Sequence, residues 1–191
     1  MQCWLRIGRR RPLGAAAGVW LLVAWSLGCR GSASLAQGKP TLNLSSASFQ
    51  GDEIPKKFSC DDVDASPQLA WAAPPAATKS FALIVVDRDA PLGSFVHWVL
   101  YDVPAEMRGL PEGVPKQEQL ADGSRQGQND FEKTGYGGPC PPHGSTHRYV
   151  FTLYALDIKL NLPAGATRKE VEDALKAHIL AYGELVGRYK R

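Results

Sequence analysis

Ser80-Phe81-Ala82-Leu83-Ile84-Val85-Val86 is an uninterrupted apolar run, rich in β-branched residues and of the length of a fully buried strand. It leads directly into Asp87-Arg88-Asp89-Ala90-Pro91-Leu92-Gly93, where Pro91 and Gly93 force a turn. Outward from this stretch the pattern stays β-rich. Phe95 to Val103 and Arg148 to Leu156 read as two further strands, Leu42, Leu44 and Phe49 as the start of an edge-like strand, and Leu180 to Tyr189 as a closing strand. Pro- and Gly-rich connections fall at 72–78, 104–115 and 135–145, and the last is too dense in Gly and Pro for a helix or a central strand. Such loops are candidates for a functional rim. One helix is expected: Thr167 and Glu170 form a capping box, and Val171, Ala174, Leu175, His178 and Ile179 repeat at helical spacing. That spacing makes His178 a boundary residue of the helix rather than a ligand. The expected class is mainly β, a sandwich with one or two peripheral helices, in a single domain over residues 41–191.

The N-terminus has a different character. Arg6, Arg9, Arg10 and Arg11 precede an apolar run from Leu13 to Leu27 that contains no charged residue. A basic segment followed by an apolar one reads as an export signal, here residues 1–36. The run falls short of the roughly 20 apolar residues that span a bilayer, which argues against an anchor. Two cleavage points compete. Ser26-Leu27-Gly28-Cys29 resembles a bacterial lipobox, which would lipidate Cys29, although Ser26 stands where leucine is usual. Ser34 and Ala36 instead fit ordinary cleavage before Gln37. The Pro12-Leu13-Gly14 that follows the arginines departs from a twin-arginine signal. The expected location is the periplasm or cell envelope.

Removing the leader takes away the arginines at 6, 9, 10, 11 and 30 and no acidic residue. The 22 basic and 19 acidic side chains become 17 and 19, so the sequence pI of about 8.7 describes the precursor only. The remaining cations are scattered, and no nucleic-acid partner is expected. Cys60 and Cys140 remain in the domain. In an exported chain they read as a disulfide, with two small buried thiols as the alternative.

Polar groups gather at three places beside these strands. Asp87 and Asp89 are two apart at a strand exit, so on extended backbone they face one side. His97-Trp98 lies in the next strand. Gly135-Tyr136-Gly137-Gly138-Pro139-Cys140-Pro141-Pro142-His143-Gly144 leads into His147-Arg148-Tyr149, where His147 and Tyr149 share a face. Singly, each has an ordinary structural explanation: a turn Asp, a hydrogen-bonded core His, a loop.

Their joint order resembles the phosphatidylethanolamine-binding protein family, especially its bacterial Raf-kinase-inhibitor-like branch. Phe58-Ser59-Cys60-Asp61-Asp62, Ser66-Pro67-Gln68-Leu69-Ala70-Trp71, Asp87-Arg88-Asp89-Ala90-Pro91, His97-Trp98 and Gly138-Pro139-Cys140-Pro141-Pro142-His143-Gly144 through Tyr149 carry the likeness, which runs from Leu42 to Tyr189. The resemblance implies a β-sandwich with a shallow pocket for a phosphate-like anion or a phospholipid head group, and no cofactor. By position it implies Asp87, His97, His147 and Tyr149 as pocket residues, with Asp89, Pro91, Gly138 and Pro141 shaping the mouth. Imidazole N–H groups, the tyrosine hydroxyl and loop amides can donate to phosphate oxygens. Asp87 would fix a histidine tautomer, raise its pKa, or receive an ammonium group. Arg88 replaces a proline often found between the two aspartates and is expected to add a cation at the pocket edge. The Cys140 position is frequently Gly or Ala in relatives, so a bridge to Cys60 would stiffen this loop.

The resulting expectation is a non-enzymatic binding protein, with an envelope protein as a further expected target. Membrane contact would come only through the leader or a lipid anchor. An inhibitor of an envelope protease acting by surface contact is one alternative. A hydrolase with His97 or His147 as base is another, but no Gly-x-Ser-x-Gly elbow is present and Ser94 and Ser145 lack an activating context. A metal site from Asp87, Asp89, His97 and His147 lacks a close ligand pair such as His-x-x-x-His.

Overall fold

A computed structural model describes residues 41–191. The expected export leader, both candidate cleavage points and Cys29 lie outside the described residues. Seven strands and one α-helix follow in chain order: β1 (Leu69–Ala70), β2 (Ser80–Asp87), β3 (Phe95–Pro104), β4 (Gly109–Leu110), β5 (Arg125–Gln126), β6 (Thr146–Leu156), α1 (Arg168–Leu175) and β7 (Ile179–Lys190). The main sheet has the order β5-β3-β2-β6-β7, with antiparallel neighbours throughout, and β1 pairs with β4 in a small second sheet.

Every residue of β2 is buried, as its sequence requires of a central strand. Its side chains alternate between two cores. Phe81, Leu83 and Val85 enter the larger core, which also holds Leu69 and Leu110 of the small sheet, Trp98, and Phe151 of β6. Ala82, Ile84 and Val86 enter the smaller one with Val171 and Leu175 of α1. Fully burying such aliphatic or aromatic side chains is worth roughly 1.5–3 kcal/mol each. A one-residue slip would exchange the two faces, putting Ala82 where Phe81 or Leu83 fills the larger core, so the register is strongly specified. The mainly β sandwich follows from this arrangement, with α1 on one side of the sheet and the small sheet on the other.

Three expectations need correction. Leu42 to Phe49 is not a strand: Leu42 and Leu44 are buried, but the segment makes only isolated bridges, Thr41 with Tyr182 and Ser45 with Ala70. Asn43 adopts a left-handed φ of 46°, which interrupts extended backbone. The Leu42 amide bonds to the Tyr182 carbonyl of β7 while its own carbonyl accepts from Ala72, dividing the pairing between two partners. The helix has the expected capping box but ends at Leu175. His178 lies in the turn beyond it and donates from Nδ1 to Asp157 Oδ1 (2.8 Å), and Ile179 already begins β7. The Gly/Pro segment contains no regular element, as expected, but residues 135–139 are buried, so any rim is confined to the later part of 135–145. A buried loop must satisfy its backbone. Gly137 N–H donates to the His97 carbonyl (2.8 Å), Gly138 N–H to Asp64 Oδ1 (2.6 Å), and the Pro139 carbonyl accepts from Cys60 N–H (3.1 Å).

Candidate functional site

The end of β2, the start of β3 and the start of β6 lie side by side, with Asp87 paired to both Phe95 and Tyr149. A bulge then aims His97. Val86 pairs with Val96 and Val85 with Trp98, leaving His97 as the extra residue. Val96 and Val99 face the smaller core and Trp98 the larger one, so the insertion turns His97 to the side occupied by Tyr149. The two rings meet edge to face with centroids 5.0 Å apart. In an unbulged strand of period two, His97 and Trp98 would point to opposite faces.

A cavity of about 260 Å³ opens where these strand ends meet. Asp87, Pro91, His97, Phe131, Pro141 and His147 line it, with Cys140 on one wall. Asp87, His97 and His147 are all buried. His147 Nδ1–H donates to Asp87 Oδ2 (2.7 Å), and Asp87 Oδ1 accepts from the Asp89 amide (2.8 Å). The carboxylate therefore fixes the imidazole orientation and keeps a proton on Nδ1. His97 Nδ1–H donates to the Gly137 carbonyl (2.7 Å), and burial lowers the pKa of this ring. The neutral form of His97 keeps its proton on Nδ1, so its Nε2 is an acceptor and does not donate to an anion.

The Tyr149 hydroxyl is buried without a hydrogen-bond partner among the described residues. Burial, and secondly the Asp87 charge beside it, raise its pKa, so it stays a protonated donor.

The expected residues do not all meet. Asp87, Pro91, His97, Pro141 and His147 line the cavity, whereas Tyr149, opposite Asp87 in β6 and edge-on to the His97 ring, is not among the lining residues. Gly138 lines a neighbouring cavity instead. Asp89 turns away: its carboxylate accepts from Arg148 Nε (2.9 Å), a terminal guanidinium N–H (2.6 Å) and the Arg148 amide (2.8 Å). Those bonds from Arg148 hold Asp89 down to about 2. Asp89 thus braces the turn rather than sharing a face with Asp87. Arg88 also departs from expectation, because it is exposed and does not line the cavity. The alternation that carries Asp87 inward carries Arg88 outward.

Cys60 and Cys140 form a disulfide with Cα atoms 5.4 Å apart, tying the segment after Phe58 to the cavity wall. Among the described residues no three His, Cys, Asp or Glu side chains are grouped to hold a metal ion. Asp87 and His147 bond to each other and Asp89 to Arg148.

Phe131 was not singled out from sequence. Its ring packs edge to face on Phe95 (4.7 Å) and His97 (5.2 Å) and forms part of the cavity wall. The available signal was one aromatic residue in the polar run Gln128-Asn129-Asp130-Phe131-Glu132-Lys133.

Fold and site together define a β-sandwich domain with a small, partly enclosed Asp–His pocket at the strand ends. The family model described as phosphatidylethanolamine-binding protein matches residues 44–190, and the chain belongs to that family. A UPF0098 protein of Aquifex aeolicus is 48% identical over 157 residues, covering 81% of this chain and 91% of the relative. Escherichia coli YbhB, another UPF0098 protein, is 40% identical over 147 residues, covering 73% and 93%. Among solved structures, a Chlamydia trachomatis protein described as a phosphatidylethanolamine-binding protein homologue superposes with a TM-score of 0.72 at 38% identity, covering 79% of this chain and 98% of that one. Escherichia coli YbcL, described as a new member of the mammalian PEBP family, gives 0.73 at 31% identity, covering 78% and 98%.

Proposed function

We propose that the chain is an exported binding protein whose Asp87–His147 cavity takes a phosphate-like anion, free or as a phospholipid head group. The observation that carries this reading is the buried Asp87–His147 pair on the cavity wall. With Nδ1 committed to the carboxylate, His147 offers Nε2 to a ligand, and Nε2 donates when the ring is an imidazolium paired with Asp87. His97 Nε2 is an acceptor, and the Tyr149 hydroxyl, beside Asp87 and His97 but outside the lining, is a second donor only to a ligand that reaches past them. This combination suits a phosphate that still carries one P–OH.

Binding is favoured over hydrolysis because the cavity lining contains no serine or threonine and its cysteine is in a disulfide. Ser94 receives a bond from Arg168, and Ser145 donates to the Pro142 carbonyl. Export and an envelope location are supported by the leader and by the disulfide, since such bridges persist in oxidising compartments. A regulated envelope protein is a further part of the proposal.

Calorimetric titration with inorganic phosphate and phosphoethanolamine tests the cavity. Saturable binding that is lost in His97→Ala and His147→Ala is expected. Absence of binding, or binding indifferent to both substitutions, refutes the assignment.

A further inference from the structure

A second and larger cavity, about 510 Å³, lies against the first. Phe131 lines both. The Gly137-Gly138 segment forms part of the larger cavity's wall and Cys140-Pro141 part of the smaller one's, and Cys60 lines the larger while its disulfide partner Cys140 lines the smaller, so this stretch of chain, the bridge and one aromatic ring stand between them. The partition is tightly built. A Cβ at Gly137 would fall 2.7 Å from two carbons of the Phe131 ring, so the ring rests directly on glycine backbone. Asn129, itself buried, accepts from the amides of Phe131 (3.0 Å) and Lys133 (3.1 Å) and donates to the Gly135 carbonyl (2.9 Å). One buried amide side chain thereby fixes Phe131 and Lys133 in relation to the partition.

The charges of the two cavities differ. Asp87 is the acidic residue lining the smaller cavity, whereas Lys116, Lys133 and Asp64 line the larger one. Lys116 bonds to Asp64 (2.6 Å), whose other oxygen accepts from Gly138 N–H, linking that ion pair to the partition. Lys133 has no ion pair among the described residues, so the larger cavity carries an uncompensated positive charge beside the Thr134 hydroxyl.

We infer that the lysine-lined cavity is a companion subsite, taking a second acidic group of the ligand whose first phosphate occupies the Asp87–His147 cavity. The inference rests on that reading of the smaller cavity and narrows its ligand class to molecules with two acidic groups on a short linker, since the two cavities share Phe131 as a wall. A soluble bisphosphate and a phospholipid head group bearing a carboxylate share this chemistry. Linking the two groups makes the second contact intramolecular, so affinity rises without a new site being built.

Calorimetry of the disulfide-intact protein with inorganic phosphate and with propanediol bisphosphate tests this. The bisphosphate should bind more tightly than phosphate. Lys133→Gln should weaken the bisphosphate by about 3–10-fold, a charge-assisted contact discounted for exposure, and leave phosphate unchanged. Equal affinities for the two ligands, or a Lys133→Gln effect that is absent or equal for both, overturn the companion subsite. Phosphate binding lost in His147→Gln with no Lys133 dependence leaves the smaller cavity standing alone. Lys133-dependent bisphosphate binding without phosphate binding refutes the smaller cavity and supports the larger as a site in its own right. Co-sedimentation with phosphatidylcholine vesicles carrying phosphatidylserine distinguishes the sources. Lys133-dependent capture assigns the two groups to a lipid, its absence beside bisphosphate binding assigns them to a soluble ligand, and both support the subsite.

Discussion

Replacing Tyr149 by Phe removes one oxygen and separates a binding role from a structural one. The ring is 1% exposed and its contact with His97 survives the change. The hydroxyl is buried with no hydrogen-bond partner among the described residues, so the folded chain carries a desolvation cost of about 1–3 kcal/mol for it. Removing that group from the unliganded protein should leave stability unchanged or raise it by up to about 1–3 kcal/mol. A donor to a charged phosphate oxygen contributes about 1.5–3 kcal/mol, so if the phosphate reaches past the lining to this hydroxyl its affinity should fall about 10- to 150-fold. Urea unfolding reads the first effect through its midpoint at constant slope, and calorimetry reads the second. Loss of more than about 1 kcal/mol of stability with phosphate affinity intact would mean that the hydroxyl serves the fold and not a ligand.

Two further outcomes follow from the same geometry. Reduction of Cys60–Cys140 releases a cross-link between residues 80 apart in sequence, which loop-closure entropy values at about 4.5 kcal/mol; intact mass with and without reductant checks the bridge, and an unfolding midpoint indifferent to reductant would deny it a stabilising role. His97 has its pKa lowered below 6.5, chiefly by burial. The unfolded chain therefore binds this proton more readily, so stability should fall as pH drops below about 6.5 and level off above it. His97→Gln should abolish that part of the decline in urea unfolding at pH 5 and 7.5. Asp61, Asp89 and Glu170 have lowered values and lose their contributions only at more acidic pH, outside this window.

The central strand, the two long strands that flank it, the closing strand and the capping box of α1 were legible because each rests on local chemistry. An apolar β-branched run needs cover on both faces wherever it sits, and Thr167 with Glu170 satisfies its helix terminus within one turn. The order of Asp87, His97 and His147 along the chain was legible too, and the fold brings these three to one cavity, whereas Tyr149, expected with them, is not in its lining. What sequence period alone misjudged was direction. Two-residue alternation put Asp89 beside Asp87, but the carboxylate of Asp89 is drawn off by Arg148, a residue 59 positions away. Alternation also gives no notice of the bulge that turns His97 toward Tyr149, because a bulge exists only in relation to the strand it is paired with. Leu42 to Phe49 failed as a strand for a related reason: its apolar pattern is real, but the partners available to its backbone are shared between two segments. The unpaired Tyr149 hydroxyl, the burial of the Gly/Pro segment and the second cavity behind Phe131 are likewise tertiary facts. They depend on which distant chain segments arrive beside a residue and leave its polar atoms paired, enclosed or free, and no local pattern of residues carries that information.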